Sequence, residues 1–316
     1  MSKITYLSLA VVAIGLVISL TVAFIGISTN QTLADENREL QETIDNIKNK
    51  QPTLVFHVSE KGPDYEYARL PNASNTYNQI LEINNNYEVL LLPEYMNNLD
   101  ATQELAWIEA NFGGPQGIPI MLDTFGGGSQ NKPTPQLTID QITQACNTAN
   151  VKCLRIGEVI SWHIENKQPF PTNYLNDLLE YCQNNNLKIF WTEWKDDFPD
   201  KDIETFSAIK EYIRGYEDTV TVSFSTNSEE LEPADGFLKL NQKFLQWGAS
   251  IQPWYWHINH NQDLMTCPPS LILEHTLTAK ALGAKIIQFE PYWYFFDNGT
   301  PNNNLKLLLN NIKDII

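Results

Sequence analysis

The stretch VKCLRIGEVISWHIENKQPFPTNYLNDLLEYCQNNNLKIFWTEW, residues 151–194, decides the fold. It begins with an apolar run at Val151–Ile156 and ends with a second one at Leu187–Thr192. Between them, apolar residues recur at helical spacing over Asn173–Asn184, which predicts a helix with one buried face. Two short apolar runs joined by a helix are typical of neighbouring parallel strands with a crossover connection.

The same unit recurs along the rest of the chain. Eight apolar runs predict strands at Leu54–Val58, Glu88–Leu92, Ile118–Leu122, Val151–Ile156, Leu187–Thr192, Val220–Phe224, Ala249–Pro253 and Lys285–Phe289. Helical patterns lie between and after them at Thr102–Asn111, Thr138–Ala149, Asn173–Asn184, Ile203–Tyr216, Ala234–Trp247, Ser270–Leu282 and Asn303–Ile316. Eight strand–helix units predict an α/β fold, a (β/α)8 TIM barrel domain over residues 53–316.

A doubly wound open sheet is the competing fold. That fold normally shows a glycine-rich phosphate turn after its first strand, and VFHVSEKG at residues 55–62 has none. The first unit is the least regular, because residues 61–86 read as a loop.

An uncharged apolar run, ITYLSLAVVAIGLVISLTVAFIGIS, precedes the barrel at residues 4–28. A helix that crosses a bilayer needs about 20 such residues, whereas the apolar core of a secretory signal has about 7–15. We therefore expect an N-terminal transmembrane helix, a signal anchor over 4–28 with the lipid bilayer as its partner. A cleaved signal and a buried helix are the alternatives.

Charge and sequons predict which side of the membrane holds the barrel. Lys3 precedes the run, so residues 1–3 would form a cytoplasmic tip and the C-terminal domain would be extracytoplasmic. The expected localisation is a single-pass protein of the cell membrane. Sequons at Asn30, Asn72 and Asn298 predict glycosylation, although an Asn-rich chain also produces sequons by chance.

Residues 29–52 read as a helical stalk between the run and the barrel. Leu33, Leu40 and Ile47 recur every seven residues, which predicts a homo-oligomer formed through residues 33–50. Two heptads are marginal for association, so a solvated helical spacer is the alternative.

Composition excludes one class of partner. The formal net charge is −17, and no basic stripe interrupts the acidic sequence, so we expect no nucleic-acid partner. The four cysteines form no CxxC pair and no zinc-type spacing, so the sequence predicts neither a metal nor a cofactor.

Carboxylates and aromatic residues gather where the predicted strands end. In a TIM barrel the active site lies at the C-terminal ends of the strands. Flat aromatic rings suit the apolar faces of sugars, while carboxylates and amides bind hydroxyl groups. The expected substrate-binding residues are His57, Glu94, Asp123, Trp162, Trp191, Trp194, Gln252, Trp254, Trp256, His257, Gln288, Tyr292 and Trp293.

The segments RIGEVISW (155–162), IFWTEW (189–194), QPWYWH (252–257) and IIQFEPYWYF (286–295) resemble the TIM-barrel glycoside hydrolase superfamily. In the largest clan of those enzymes, the acid/base Glu follows strand 4 and the nucleophile follows strand 7. Glu158 matches the first position, with Gly157 where the clan usually has Asn. QPWYWH carries no carboxylate, so the second position is unmatched and an inverting arrangement is the more natural one.

The resemblance implies a membrane-anchored extracytoplasmic glycoside hydrolase acting on an oligo- or polysaccharide. We expect Glu158 as general acid, Glu290 as base or nucleophile, and Glu193 as a catalytic residue that orients water or tunes a pKa. Salt-bridged structural carboxylates are the alternative for all three. The alternative functions are a non-catalytic carbohydrate-binding or adhesion module on the same scaffold, and a structural surface protein.

Overall fold

The computed structural model describes residues 51–61, 67–69, 72–93, 101–128, 131–193, 203–225, 233–253, 256 and 263–313. Eight parallel strands form its sheet: β1 (Thr53–Lys61), β3 (Val89–Pro93), β4 (Ile120–Asp123), β7 (Val151–Gly157), β8 (Lys188–Glu193), β9 (Val220–Ser225), β10 (Trp247–Ile251) and β11 (Ile286–Phe289). β11 pairs in parallel with β1, from Thr53 opposite Ile286 to Phe56 opposite Phe289, and closes the barrel. The predicted (β/α)8 TIM barrel is confirmed.

Alternation along the strands divides the apolar residues into two layers. One cluster fills the barrel interior and consists of Val55, Leu90, Leu92, Met121, Cys153, Phe190 and Ile286. Their neighbours in sequence, such as Leu54, Ile189 and Ile287, point outward into a larger cluster beneath the helices. Each strand is therefore apolar on both faces, which explains why the runs read as continuous in the sequence.

The helices are α1 (Ala73–Ile83), α2 (Ala101–Phe112), α3 (Ile139–Thr148), α4 (Val159–Glu165), α5 (Thr172–Asn184), α6 (Ile203–Tyr212), α7 (Pro233–Lys243), α8 (Pro269–Ala281), α9 (Tyr292–Phe295) and α10 (Asn303–Lys313). All seven helices predicted from periodicity are present. Thr138 caps α3 in a full capping box, in which its hydroxyl accepts from the Gln141 amide and the Gln141 side chain accepts from the Thr138 amide.

The interpretation of residues 61–86 as a loop is wrong, because α1 occupies much of that segment. Asn72 caps this helix, its side chain accepting a hydrogen bond of 2.9 Å from the Asn75 amide. The helix buries Ala73, Thr76 and Ile80, a stripe interrupted by polar residues that weaken the periodic signal.

Four short elements accompany the barrel strands and helices. β2 (Tyr67–Arg69) pairs antiparallel with the end of β1. The hairpin of β5 (Phe125–Gly128) and β6 (Asn131–Pro135) follows β4, and the hairpin of β12 (Phe296–Asp297) and β13 (Thr300–Pro301) follows α9. A single 3-10 turn occupies Leu264–Thr266.

The N-terminal predictions fall outside this description. The apolar run 4–28, the stalk segment 33–50 and Asn30 all precede the described residues. Among the residues that the structure does describe, no helix combines the length and the apolar character that crossing a membrane requires. The transmembrane helix expected over residues 4–28 therefore stays a prediction.

Candidate active site

Polar side chains form a buried ring directly above the apolar floor of the barrel. On β1, β4, β7 and β11, the inward-facing residue of the floor is followed two positions later by a polar one, at His57, Asp123, Arg155 and Gln288. Each of these four side chains is buried. The ring lies at the C-terminal ends of the strands, where enzymes of this fold place their active sites.

Glu290 lies beside two members of this ring, His57 and Gln288. Its Oε2 accepts hydrogen bonds from Gln252 Nε2 at 3.0 Å and from Gln288 Nε2 at 3.4 Å. His57 Nε2 lies 3.6 Å from the same oxygen. Both amides also donate to Ser250 Oγ, at 3.0 and 3.3 Å, which fixes their orientation.

His57 is held in its neutral form. Burial lowers the pKa of its imidazole well below the usual range, and the positive charge of Arg155 lowers it further. A neutral imidazole offers one donor and one acceptor, and neither ring nitrogen of His57 has a hydrogen-bond partner within the described part of the protein.

The other half of the ring contains an ion pair. Arg155 Nη1 lies 3.3 Å from Asp123 Oδ2, and both side chains are buried. Gly157 follows on the same strand, and a Cβ at this position would lie only 3.3 Å from the guanidinium carbon. The glycine therefore leaves room beside the backbone for the guanidinium of Arg155.

Glu158 projects from the turn that joins β7 to α4. Its backbone is left-handed, with φ 56° and ψ 27°, a conformation that non-glycine residues seldom adopt. Its Oε2 is buried, and within the described residues it has no hydrogen-bond partner. Such a placement is typical of strained functional positions.

Burial raises the pKa of the Glu158 carboxyl to about 7. The positive charge of Arg155 opposes this rise, whereas the carboxylates of Glu290, Glu193 and Asp123 add to it. Glu158 is consequently divided between its acid and its carboxylate at neutral pH, the condition under which a group exchanges protons most effectively.

Glu193 and Trp191 point away from the ring, contrary to the expectation that both belong to the site. Phe190 fills the interior, so Trp191 and Glu193, one and three positions later on the strand, face the helices. Glu193 accepts four hydrogen bonds, one of them from Trp191 Nε1 at 2.6 Å. Trp191 is fully buried, with no exposed face for a sugar ring.

The remaining predicted residues are dispersed. Trp162 on α4 and Trp293 on α9 are half-buried, and Trp256 donates to Thr266 Oγ1 at 3.2 Å. Tyr292 is buried beneath the β12–β13 hairpin, where its hydroxyl accepts from the Gly299 amide at 2.8 Å. The other four lie outside the described residues: Glu94, Trp194, Trp254 and His257.

The sequence analysis missed Ser250, Thr192 and Arg155 as residues of the site. Thr192 is buried in line with Phe190 on the inner face, and its hydroxyl has no partner within the described part of the chain. Alternation places Thr192 on one face with Phe190 and Ser250 on one face with Gln252, but the sequence of each strand does not say which face is inward. Among the described residues, no group of three histidine, cysteine or acidic side chains could hold a metal ion.

Two glycosylation sequons can be located. Asn72 and Asn298 are both exposed, the first at the start of α1 and the second in the β12–β13 turn. Their modification stays a prediction. All four cysteines are free thiols, and Cys153 is packed in the barrel floor.

No family model and no curated protein sequence matches this chain. Among solved structures, it is similar to the 7,8-dihydropteroate synthase of Vibrio fischeri ES114, with 11% identity, a TM-score of 0.52, and coverage of 84% of this chain and 92% of that one. It is also similar to an archaeal fructose 1,6-bisphosphate aldolase, with 9% identity, a TM-score of 0.49, and coverage of 85% and 94%. At such identities the likeness shows the fold alone.

These comparisons correct the functional hypothesis drawn from the sequence. The 7,8-dihydropteroate synthase that shares this architecture is not a glycoside hydrolase, so the proposed resemblance to that superfamily is wrong. The glycosidase activity and the oligo- or polysaccharide partner are wrong with it, and the bilayer partner has no support among the described residues. The motifs that carried the resemblance are strand ends of a TIM barrel, which many chemistries share.

Proposed function

We propose that this protein is an enzyme that moves protons on a small, uncharged or cationic polar substrate bound at the C-terminal mouth of its barrel. Glu158 is the proton donor and Glu290 is the proton acceptor. The reaction class is an isomerisation or elimination, in which one group protonates a substrate oxygen while another removes a proton from an adjacent carbon.

The observation that carries this proposal is the environment of Glu158. Its carboxyl is held at the mouth on a left-handed backbone, and Oε2 has no partner among the described residues. A pKa of about 7 leaves a large share of the acid protonated at neutral pH. A carboxylic acid kept neutral by burial is the usual arrangement for a general acid that works near pH 7.

Glu290 is arranged for the opposite role. Two side-chain amides donate to its Oε2, so this oxygen acts as a hydrogen-bond acceptor. The side chain is 15% exposed, so a substrate can reach it. Two carboxyls in environments of opposite character provide the acid and the base of a single site.

The charges of the mouth define the substrate class. Among the described residues of the mouth, three carboxyls (Asp123, Glu158 and Glu290) lie near Arg155, which is paired with Asp123. A phosphate or carboxylate substrate would be repelled, whereas hydroxyl, carbonyl and amine groups find partners. His57, Thr192 and Gln288 each offer a buried polar atom without a partner in the described residues.

A proton balance closes the cycle. In an elimination, Glu158 protonates a hydroxyl that leaves as water while Glu290 takes the proton from the adjacent carbon and the C–H electron pair becomes the new double bond; exchange with solvent then restores both carboxyls. In an isomerisation, the same transfers give an enol, and Glu290 returns its proton to the neighbouring carbon while Glu158 takes back the proton from oxygen.

A ligand screen with matched variants tests this proposal. The full chain is screened by thermal shift against neutral, cationic and anionic small metabolites, and hits are assayed for solvent deuterium incorporation. We expect neutral or cationic hits whose deuterium incorporation is lost in Glu158→Gln and in Glu290→Gln. Glu180→Gln, an exposed charge change on α5, should leave it intact. Incorporation that survives in both mouth variants, or hits confined to anions, would contradict the proposal.

The localisation predicted from residues 4–28 is a separate proposal that rests on the sequence alone. Protease treatment of intact cells tests it, because an extracytoplasmic barrel is cleaved and a cytoplasmic one is protected.

A further inference from the structure

The last two residues of β8 hold the turn that presents Glu158. The backbone amide of Glu158 donates to the Thr192 carbonyl at 2.8 Å. The next residue, Glu193, accepts from the Ile160 amide through Oε1 at 3.0 Å and from the Ser161 amide through Oε2 at 2.9 Å. The end of β8 therefore accepts hydrogen bonds from three backbone amides, those of Glu158, Ile160 and Ser161.

Glu193 occupies the position of a helix cap. A capping side chain normally comes from the residue just before the helix and accepts from the second or third amide. In α4 that residue is Glu158, and its side chain makes no capping hydrogen bond. Ile160 and Ser161 are the second and third residues of α4, so Glu193 supplies from β8 the bonds that Glu158 does not make.

The carboxyl of Glu193 is surrounded by hydrogen-bond donors. Ser161 Oγ donates to Oε2 at 2.6 Å and Trp191 Nε1 donates to Oε1 at 2.6 Å, in addition to the two amides. All four partners donate, so both oxygens are saturated and the side chain is fully buried. Burial raises the pKa of Glu193, and the four hydrogen bonds act in the opposite direction.

We infer that Glu193 is a positioning residue that acts through Glu158. By capping α4 from the neighbouring strand, it holds the left-handed turn in place and leaves the Glu158 side chain free to enter the mouth. This inference rests on the proposed function, because it assigns Glu193 to the residue that donates the proton. It replaces the expectation that Glu193 itself orients water.

Two variants separate positioning from simple electrostatics. Glu193→Gln removes a negative charge near Glu158 and also places an amide donor against other donors. Ser161→Ala removes one hydrogen bond to Glu193 and leaves its charge in place. If Glu193 positions Glu158, both variants loosen the turn, expose the Glu158 carboxyl and lower its pKa. If Glu193 acts only through its charge, Ser161→Ala leaves that pKa unchanged.

The measurement is the titration of the Glu158 carboxyl by carbon NMR on the full chain. We expect the midpoint to fall by about one unit in Glu193→Gln and by a smaller step in the same direction in Ser161→Ala. Thr276→Ala is the control, since it removes a buried hydroxyl whose 2.7 Å bond to the Ile272 carbonyl lies within α8. An equal fall in the control would show general loosening and overturn the inference.

The outcomes are distinguishable from failure of the proposed function. An unchanged Glu158 midpoint in Ser161→Ala overturns the positioning role, even if Glu193→Gln fails to fold. If the Glu158 carboxyl of the wild-type protein titrates in the ordinary range for glutamate, the proposed function itself is wrong, whatever the variants show.

Discussion

Replacing Glu158 with glutamine should stabilise the protein at alkaline pH and have little effect at acid pH. The reason is that its carboxyl has an ordinary pKa of 4.5 in the unfolded chain and a pKa of about 7 in the folded one. Below pH 4.5 both states are protonated, so folding loses nothing. As the pH rises toward 7, the unfolded chain ionises first and folding becomes progressively less favourable.

The magnitude follows from the size of this shift. Each unit corresponds to about 1.4 kcal/mol, so a rise from 4.5 to about 7 corresponds to about 3 kcal/mol. Partial exposure and solvent screening reduce this energy. We therefore expect the free energy of unfolding of the wild-type protein to fall by about 1 to 3 kcal/mol between pH 4.5 and pH 8. Glu158→Gln has no ionisable group at this site and should not show the loss.

Urea unfolding of the full chain from pH 4.5 to pH 8 measures this effect. The difference in unfolding free energy between Glu158→Gln and wild type should grow by the expected amount as the pH rises. Glu180→Gln should show no such trend, because its parent residue is exposed on α5. A difference for Glu158→Gln that stays constant within about 0.5 kcal/mol would refute the reasoning.

Three further predictions concern packing, capping and acid sensitivity. Gly248→Ala should lower the free energy of unfolding in urea by about 1–3 kcal/mol, because the added Cβ would lie 2.6 Å from the Ile286 carbonyl oxygen. Gly114→Ala is the control and should leave the free energy of unfolding nearly unchanged, because nothing lies within 4 Å of a Cβ at that position. Thr138→Ala should cost about 1 kcal/mol by the same assay, since it removes the cap of α3, and an unchanged midpoint would contradict this. Burial lowers the pKa of His275 from 6.5 to about 4, so its contribution to stability is present above pH 6.5 and lost as the pH falls toward 4. His275→Gln should therefore lose less stability than wild type between pH 7 and pH 4, and equal losses would count against this.

The barrel was predictable because its strands are apolar on both faces and its helices on one. That pattern predicts the order of strands and helices along the chain. The eight predicted strands agree closely with those observed. The exception is α1, whose buried stripe of Ala73, Thr76 and Ile80 is too small and polar to stand out against the flanking residues. Helix ends also differed, since α6 stops at Tyr212 and α7 at Lys243.

The site was predictable only in part. Glu158, Glu290, Gln288, Asp123 and His57 all reach the mouth, as expected for residues at strand ends. Glu193 does not, because an apolar strand buried on both faces gives no sign of which face is inward. Register against the neighbouring strands decides this, and the sequence of one strand does not contain it.

The functional error had a different cause. Aromatic residues next to carboxylates suggested a sugar site, but Trp191 and Tyr292 fill the layer between barrel and helices. Large aromatic side chains contribute mostly to packing, and their exposure depends on which face of the strand they occupy. The strand-end carboxylates indicated where chemistry occurs without indicating which chemistry.

The most direct test of the central claim is the site-resolved NMR titration of Glu158 in the wild-type full chain, with its carboxyl resonance assigned by its absence from Glu158→Gln. We predict a midpoint of about 7, which the barrel mouth imposes on this acid. A midpoint near the ordinary value of 4.5 would show that the carboxyl is solvated and ionised at neutral pH, and would contradict the account.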